Sequence, residues 1–478
     1  MGRFTALPTI TDDSALGGST IVRSLRFDRN DNHYLTRTPS SAGNRKTWTY
    51  STWVKLGQTG TNTSNDPGNG LFLSCGPGST AGNMSLRITN NGYVGIDYYG
   101  IGGYYSSNRL RDLTSWYHCV WVMDTTESTA ANRMKVYVNG DLFYNNSMSL
   151  SQNADTPINN NSATTIGCYS YNTSHAYRLD GYLSEINFID GLALDPSYFG
   201  YTEFQTGIWR PKKYIFGNYG TNGFHLDFSD NSSTTAATLG KDTSGNGNNF
   251  TPNNYGASLV DDVVDTPTNN FCTLNPLRRQ NDNCTLSDGN LKATGPNESY
   301  PGATGTIALS SGKWYYEFVI NSRGGTGGHP LCGISQNDYV GGGPDRICYT
   351  AGGVYISATP TEPSDPASFA VNDVIGVAID LDDAAGKIRF YKNGTLQPVL
   401  AILNSVKSDL QVSLKGGVFP YVQMYNGDVC TVNFGQRPFS HTPPSGHRKI
   451  TSNNLLNHST TSILDPKKHF GSLLYTGD

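Results

Sequence analysis

Apolar and polar residues alternate with a period of two through most of this chain. In TWTYSTWVKL, Trp48, Tyr50, Thr52, Val54 and Leu56 share one face, and Thr49, Ser51, Trp53 and Lys55 share the other. That repeat is the one a β-strand requires. SWYHCVWVMD is apolar on both faces, with Trp116, Val120 and Val122 on one and Cys119, Trp121 and Met123 on the other. A strand of that kind is predicted to lie centrally, covered on both sides. Shorter runs of the same character follow: SLRFD, LFLSCG, MSLRITNNGYVGIDYYG and MKVYVNGDLFY early in the chain, then GKWYYEFVI, HPLCGIS, GGVYIS, DVIGVAIDLD, FPYVQMYN and DVCTVNFG. Asn139-Gly140 and Asn393-Gly394 sit between such runs, and Asn-Gly is the pair that best tolerates the two positive φ angles of a type I′ hairpin turn. Helix is scarce. Asp195 can cap a single turn opened by Pro196 and closed by Gly200, and residues 399–414 have a pattern ambiguous between helix and strand.

These signals predict an all-β chain of two antiparallel domains joined by a loop-rich connector. Residues 1–22 lack periodicity and read as an extended N-terminal arm. The first domain follows it, and residues 213–275, an Asn/Gly-rich connector with short strands such as FHLDFSD, lead to the second. Residues 441–478 form a polar C-terminal tail ending in the strand-like GSLLYTG.

Composition agrees with this picture and narrows the partners. Charged residues are 15% of the chain, against roughly 25% in an ordinary soluble domain. The difference goes into Asn, Ser, Thr and 54 glycines, in runs such as TNTSNDPGNG and SGNGNNFTPNNY. The net charge is −4, from 38 acidic and 34 basic residues, with no basic stripe or acidic tail, so nucleic acid is not an expected partner. No run reaches the roughly 20 apolar residues of a membrane span, and the first residues lack a signal-peptide core. The eight cysteines stand at 75, 119, 168, 272, 284, 332, 348 and 430, without C-x-x-C pairs or zinc spacing. They read as isolated thiols used as small apolar residues rather than as a disulfide framework.

Three motifs in the first half, SLRFDRNDNHYLTRTPSSAGNRKTWTYSTWVK, SWYHCVWVMDTTESTAANRMKVYVNG and RLDGYLSEINFIDGLALDPSYFG, resemble the laminin G-like, concanavalin A-like jelly roll. GKWYYEFVI, NDVIGVAIDLDDAAGKIRFYKNGTL and FPYVQMYNGDVCTVNFGQRPF resemble a SPRY domain. The two resemblances imply antiparallel β-sandwich (jelly-roll) domains over residues 23–212 and 276–440. Their order, linked by GIWRPKKY, SGNGNNFTPNNY and DTPTNNFCTLNPL, is similar to that of virion proteins of marine bacteriophages, including cyanophages, described as tail-fibre or surface proteins. The resemblance implies a virion structural protein, displayed at the surface or tail, that attaches to host-surface glycan or protein. The alternative is a capsid decoration or tail-assembly protein touching only other virion subunits. Other virion proteins would be met through the N-terminal arm, and a homo-oligomer is expected, a trimer being one symmetry open to it.

Candidate chemistry is sparse, and no enzyme is expected. Glycoside hydrolysis needs two carboxyls flanking one bond. The nearest set, Asp180, Glu185 and Asp190, places its first two members five residues apart, on opposite faces of a strand. G-x-S-x-G and phosphate-binding glycine loops are absent. Asp380, Asp382 and Asp383 begin like a calcium loop, but Ala384 and Tyr391 occupy later ligand positions, so the ligand set is incomplete. The Asp242–Asn248 loop is read as a hydrogen-bonded turn, with cation binding as its alternative. No cofactor and no metal are expected.

Binding candidates are the aromatic loop with Tyr98, Tyr99, Tyr104 and Tyr105, where rings on glycine hinges suit a sugar face. A second set, His329, Asp338, Tyr339, Asp345 and Arg346, lies in loops that SPRY domains use for partners.

Overall fold

A computed structural model describes residues 18–57, 70–76, 82–144, 148–169, 177–204, 206–256, 261–279, 284–296, 300–324, 330–335, 346–356, 367–383, 386–402 and 417–456. These residues form four large antiparallel sheets with almost no helix. In the first sandwich one sheet runs, edge to edge, Asp141–Tyr144, Met134–Val138, Trp116–Asp124, Thr47–Leu56, Gly181–Asp190, Ser24–Phe27 and Asp262–Val263, with Phe224–Leu226 also paired to Gly181–Asp190. Its facing sheet runs Thr251–Asn253, Tyr34–Arg37, Thr164–Ile166, Gly70–Cys75, Met84–Ile88, Tyr93–Tyr98 and Gly102–Arg109.

The inward rows of both sheets meet in one core. Phe72 and Trp121 pack at 5.1 Å between ring centres, and the polar ends of the large rings are satisfied across the gap. Trp121 donates to Gly95 O at 3.1 Å and Tyr50 donates to Phe72 O at 3.0 Å. Each bond lets a large ring be buried without stranding its donor. Trp116–Asp124 lies beside Thr47–Leu56 in the middle of its sheet, as its two-sided apolar pattern predicts. Asn139 and Gly140 turn with φ of 50° and 87°, and Asn393 and Gly394 with 47° and 77°.

The second sandwich pairs Leu274–Arg279, Gly302–Gly305, Phe419–Gln423, Leu331–Ser335, Arg346–Thr350 and Gly353–Ile356 in one sheet. Thr285–Ser287, Lys292–Thr294, Val429–Asn433, Lys313–Ser322, Val374–Asp380, Lys387–Lys392 and Thr395–Ile402 form the other. Trp314, Tyr316, Phe318 and Phe390 fill its core, where Tyr316 donates to Gly333 O at 2.7 Å.

Three local readings change. Residues 399–402 complete the Thr395–Ile402 strand, because Lys387–Lys392 supplies a hydrogen-bonding edge; 403–414 lie outside the described residues. Asp195 does cap Pro196–Tyr198, accepting from Ser197 N at 2.8 Å, but the turn is a 3-10 turn and Gly200 opens the next strand, Gly200–Thr202. The segment read as a connector also contributes Phe224–Leu226, Thr251–Asn253 and Asp262–Val263 to the sheets of the first sandwich.

That segment seals a buried polar seam between the sandwiches. Lys55 is fully buried and donates to Asp265 Oδ2 at 2.8 Å, Asn270 Oδ1 at 2.7 Å and Phe271 O at 2.9 Å. Arg26 lies between Asp261 and Asp288, and Tyr182 donates to Gly289 O at 2.8 Å. Phe271 in turn bridges to Thr451 beyond the second sandwich.

Candidate functional site

The strands Tyr93–Tyr98 and Gly102–Arg109 divide the four loop tyrosines between two surfaces. Val94 and Ile96 point into the core, so Tyr98 lies on their side, and Tyr104, opposite Ile96, packs there too. Ser149 N donates to the Tyr104 hydroxyl at 3.2 Å. Tyr99 stands at the turn, 53% exposed. Tyr105 pairs with Gly95 on the opposite, outward face. Its ring lies across that glycine: a Cβ on Gly95 would stand 2.7 Å from Tyr105 Cδ1.

Around Tyr105 the outward face gathers a compact polar group. Arg87 is directly opposite Gly95, and its guanidinium pairs with Asp97. Arg87 also lies over the Tyr177 ring at 5.2 Å, and Tyr177 meets Tyr169 edge-on at 5.7 Å. Arg87 Nε is buried and has no hydrogen-bond partner among the described residues. Thr165, Ser74 and Ser85 continue the Asp97 row across three more strands and are themselves buried. At one end of the face Arg109 covers the Tyr93 ring at 4.5 Å and donates to its hydroxyl at 2.6 Å. Burial raises the phenols of Tyr105 and Tyr169 above their ordinary range, so both remain O–H donors at neutral pH. Aromatic faces beside a held Arg–Asp pair can stack on apolar ring faces while exchanging hydrogen bonds with hydroxyls.

Sequence reasoning named Tyr105 but missed Arg87, Asp97, Tyr169 and Tyr177. The first two were accessible: in MSLRITNNGYVGIDYYG, Arg87 and Asp97 fall on the strand face opposite Leu86 and Ile96. Tyr169 and Tyr177 stand outside the strands, where no period marks a face. Of the second set, His329, Asp338, Tyr339 and Asp345 lie outside the described residues. Arg346 is buried in its strand and donates to Tyr421 Oη at 2.9 Å and Gln423 Oε1 at 3.0 Å.

The candidate carboxylates are each engaged separately. Asp190 accepts from Asn44 N, Asn159 Nδ2 and Asn222 N. Glu185, at φ 48° in a register shift of its strand, meets His225 Nε2 at 2.8 Å. Asp180 is buried with Arg29 3.8 Å away, and burial pushes its carboxyl up to about 7. Asp242 accepts from His225 N, Ser244 N, Ser244 Oγ and Asn248 N, holding its loop as a turn. Asp380 accepts from Asp382 N and Asp383 N and pairs with Lys313. Among the described residues no group of three or more His, Cys, Asp or Glu is placed to hold a metal ion.

On the outer face of the other sheet, Ser51 Oγ lies 2.8 Å from His118 Nε2, beside a small pocket also lined by Trp53, Glu185, Asn187 and Phe199. Trp209 Nε1 donates to His118 Nδ1 at 3.0 Å. An indole N–H only donates, so Nδ1 is the bare nitrogen and Nε2 carries the proton.

The fold is a pair of antiparallel β-sandwiches. Residues 28–197 match the family model of the concanavalin A-like lectin/glucanases superfamily, and residues 313–437 match that of the SPRY domain. The chain therefore carries a concanavalin A-like, laminin G-type domain followed by a SPRY domain. Over 155 residues it is 27% identical to the E3 ubiquitin-protein ligase RKP of Arabidopsis thaliana, covering 32% of this chain and 11% of that protein. It thus spans about a tenth of that relative's length. Similar solved structures include the SPRY domain of human HERC1, at 22% identity, covering 34% of this chain and 99% of that one with a TM-score of 0.28. A heptameric SAP-like pentraxin from Limulus polyphemus is similar at 16% identity, covering 37% and 79% of the two chains with a TM-score of 0.27. Among the described residues no helix is long and apolar enough to cross a membrane.

Proposed function

We propose that this protein is a non-enzymatic adhesin of a phage virion, and that the Tyr105 face of its first sandwich binds glycan on the host surface. The observation that carries the glycan reading is the convergence of Tyr105, Tyr169 and Tyr177 on the Arg87–Asp97 pair. The lectin-like family match supports a binding role. The order of the two domains, similar to that of marine phage virion proteins, supports its placement on a particle.

The test is binding of the full chain to a glycan array, followed by titration of any hit against Tyr105→Ala. Loss of the hit in the variant supports the reading, while binding indifferent to Tyr105 overturns the assignment of this face. Release of reducing ends from a bound polysaccharide would overturn the non-enzymatic part.

A structural role as a capsid decoration or tail-assembly protein has one observation in its favour. Phe204, Ile215 and Phe216 are 96%, 70% and 58% exposed, and large apolar side chains left in water are stabilised when a partner surface covers them. Cryo-EM of the particle separates the two readings. A few copies at the tail fit adhesion, whereas a lattice of copies with these residues buried between subunits fits decoration.

A further inference from the structure

Cys332 and Cys430 face each other across the interior of the second sandwich. Cys332 belongs to Leu331–Ser335 in one sheet and Cys430 to Val429–Asn433 in the other. Both point inward, with Ile334 and Val432 beside them in the core. Their sulfurs are 4.0 Å apart and both side chains are buried. We propose that these two thiols form an intersheet disulfide when the protein folds or opens locally in the presence of an organic disulfide oxidant.

The alternation of the strands keeps Cys348 out of this pairing. Cys348, on the strand next to Cys332, lies on the outward side with Leu331 and Tyr421, so the sheet itself separates it from Cys332. Cys272 is held elsewhere, receiving the Thr306 hydroxyl at 3.7 Å. Joining Cys332 to Cys430 requires their sulfurs to close from 4.0 Å to about 2.05 Å.

The chemistry is thiol–disulfide exchange. One cysteine, as thiolate, attacks a sulfur of RSSR, forming a mixed disulfide and releasing RS⁻. The second thiolate then attacks the protein sulfur of that mixed disulfide and releases another RS⁻. The two protein protons end on the two departing thiols, and the oxidant is reduced by two electrons. Burial holds the Cys332 thiol well above its ordinary range, and Cys430 is buried with it, so the closed sandwich shields both sulfurs from an oxidant and reaction waits on opening. Once formed, the bond closes a loop spanning 98 positions, which restricts the unfolded chain strongly.

The full chain, with no substitution, is unfolded and refolded in a glutathione and glutathione-disulfide buffer and compared with protein refolded in reductant. Expected are a mass lower by about 2 Da, six titratable thiols instead of eight, and one cross-linked peptide joining 332 to 430. The second sandwich should also melt several degrees higher. Eight free thiols after oxidative refolding, or a cross-link mapped to any other pair, overturns the proposal.

Discussion

Trp209 donates its indole N–H to His118 Nδ1, and this bond governs the serine on the other side of the ring. With Nδ1 accepting, Nε2–H points at Ser51 Oγ and donates to it at 2.8 Å. A histidine that donates to a serine cannot remove its proton, so the pair has hydrolase spacing without hydrolase polarity. Desolvation also lowers the His118 pKa to about 3. The expected result in nitrogen-detected NMR is an imidazole protonated at Nε2 and unchanged from pH 5 to pH 8. A ring protonated at Nδ1, or one titrating in that window, would reverse the conclusion.

Tyr104 and Tyr105 are adjacent in sequence and separable in effect. Tyr105→Ala should weaken glycan binding by about tenfold, or about 1.4 kcal/mol, with little change in melting temperature. Tyr104→Ala removes a ring packed on the core and should cost about 2 kcal/mol of stability. Binding titrations beside chemical denaturation test both, and the pattern fails if the two variants lose the same property.

Lys55→Met leaves Asp265 without its ammonium partner inside the seam, although Trp116 Nε1 and Phe271 N still donate to it. Breaking a buried pair in this way costs about 3–5 kcal/mol. Urea denaturation should show that loss, and a variant as stable as the parent would mean water reaches the seam.

Asp180 supplies a pH dependence of defined sign. Its pKa, about 7, lies above the ordinary 3.8 because burial outweighs Arg29, and Asp28 and Asp288 add repulsion. A raised folded-state pKa stabilises fully below about pH 4, and the contribution is lost as pH rises toward 7. Asp262, raised to about 7 by burial despite Arg23 at 3.3 Å, acts in the same direction. Asp180→Asn should flatten this slope and raise stability at pH 8 by on the order of 2 kcal/mol. Melting curves from pH 4 to pH 8 measure it; an equal slope in parent and variant refutes it.

Strand identity was legible where packing follows the two-residue period. Trp48, Tyr50 and Val54 reach the core as their alternation requires, and both Asn-Gly turns carry the backbone angles their residues favour. Lys55 shows where that logic ends. It occupies a solvent-type position in the pattern, yet lies buried because Asp265, more than 200 positions away, folds back to meet it. The candidate site was half legible for a related reason. Periodicity can place Arg87 and Asp97 on one face, but Tyr169 and Tyr177 belong to no strand, and no local pattern encodes their approach.

The seam has a consequence for inheritance. Lys55 sits in one module's central strand, while Asp265, Asn270 and Phe271 arrive from the segment that leads into the other. Recombination that replaced everything beyond residue 212 with a relative's sequence would therefore also replace all three partners of this lysine. Chimaeras should survive when the crossover carries 261–271 along with the first module, and the recoverable breakpoints among relatives would then mark where lineage, rather than the end of the first family match, divides this chain.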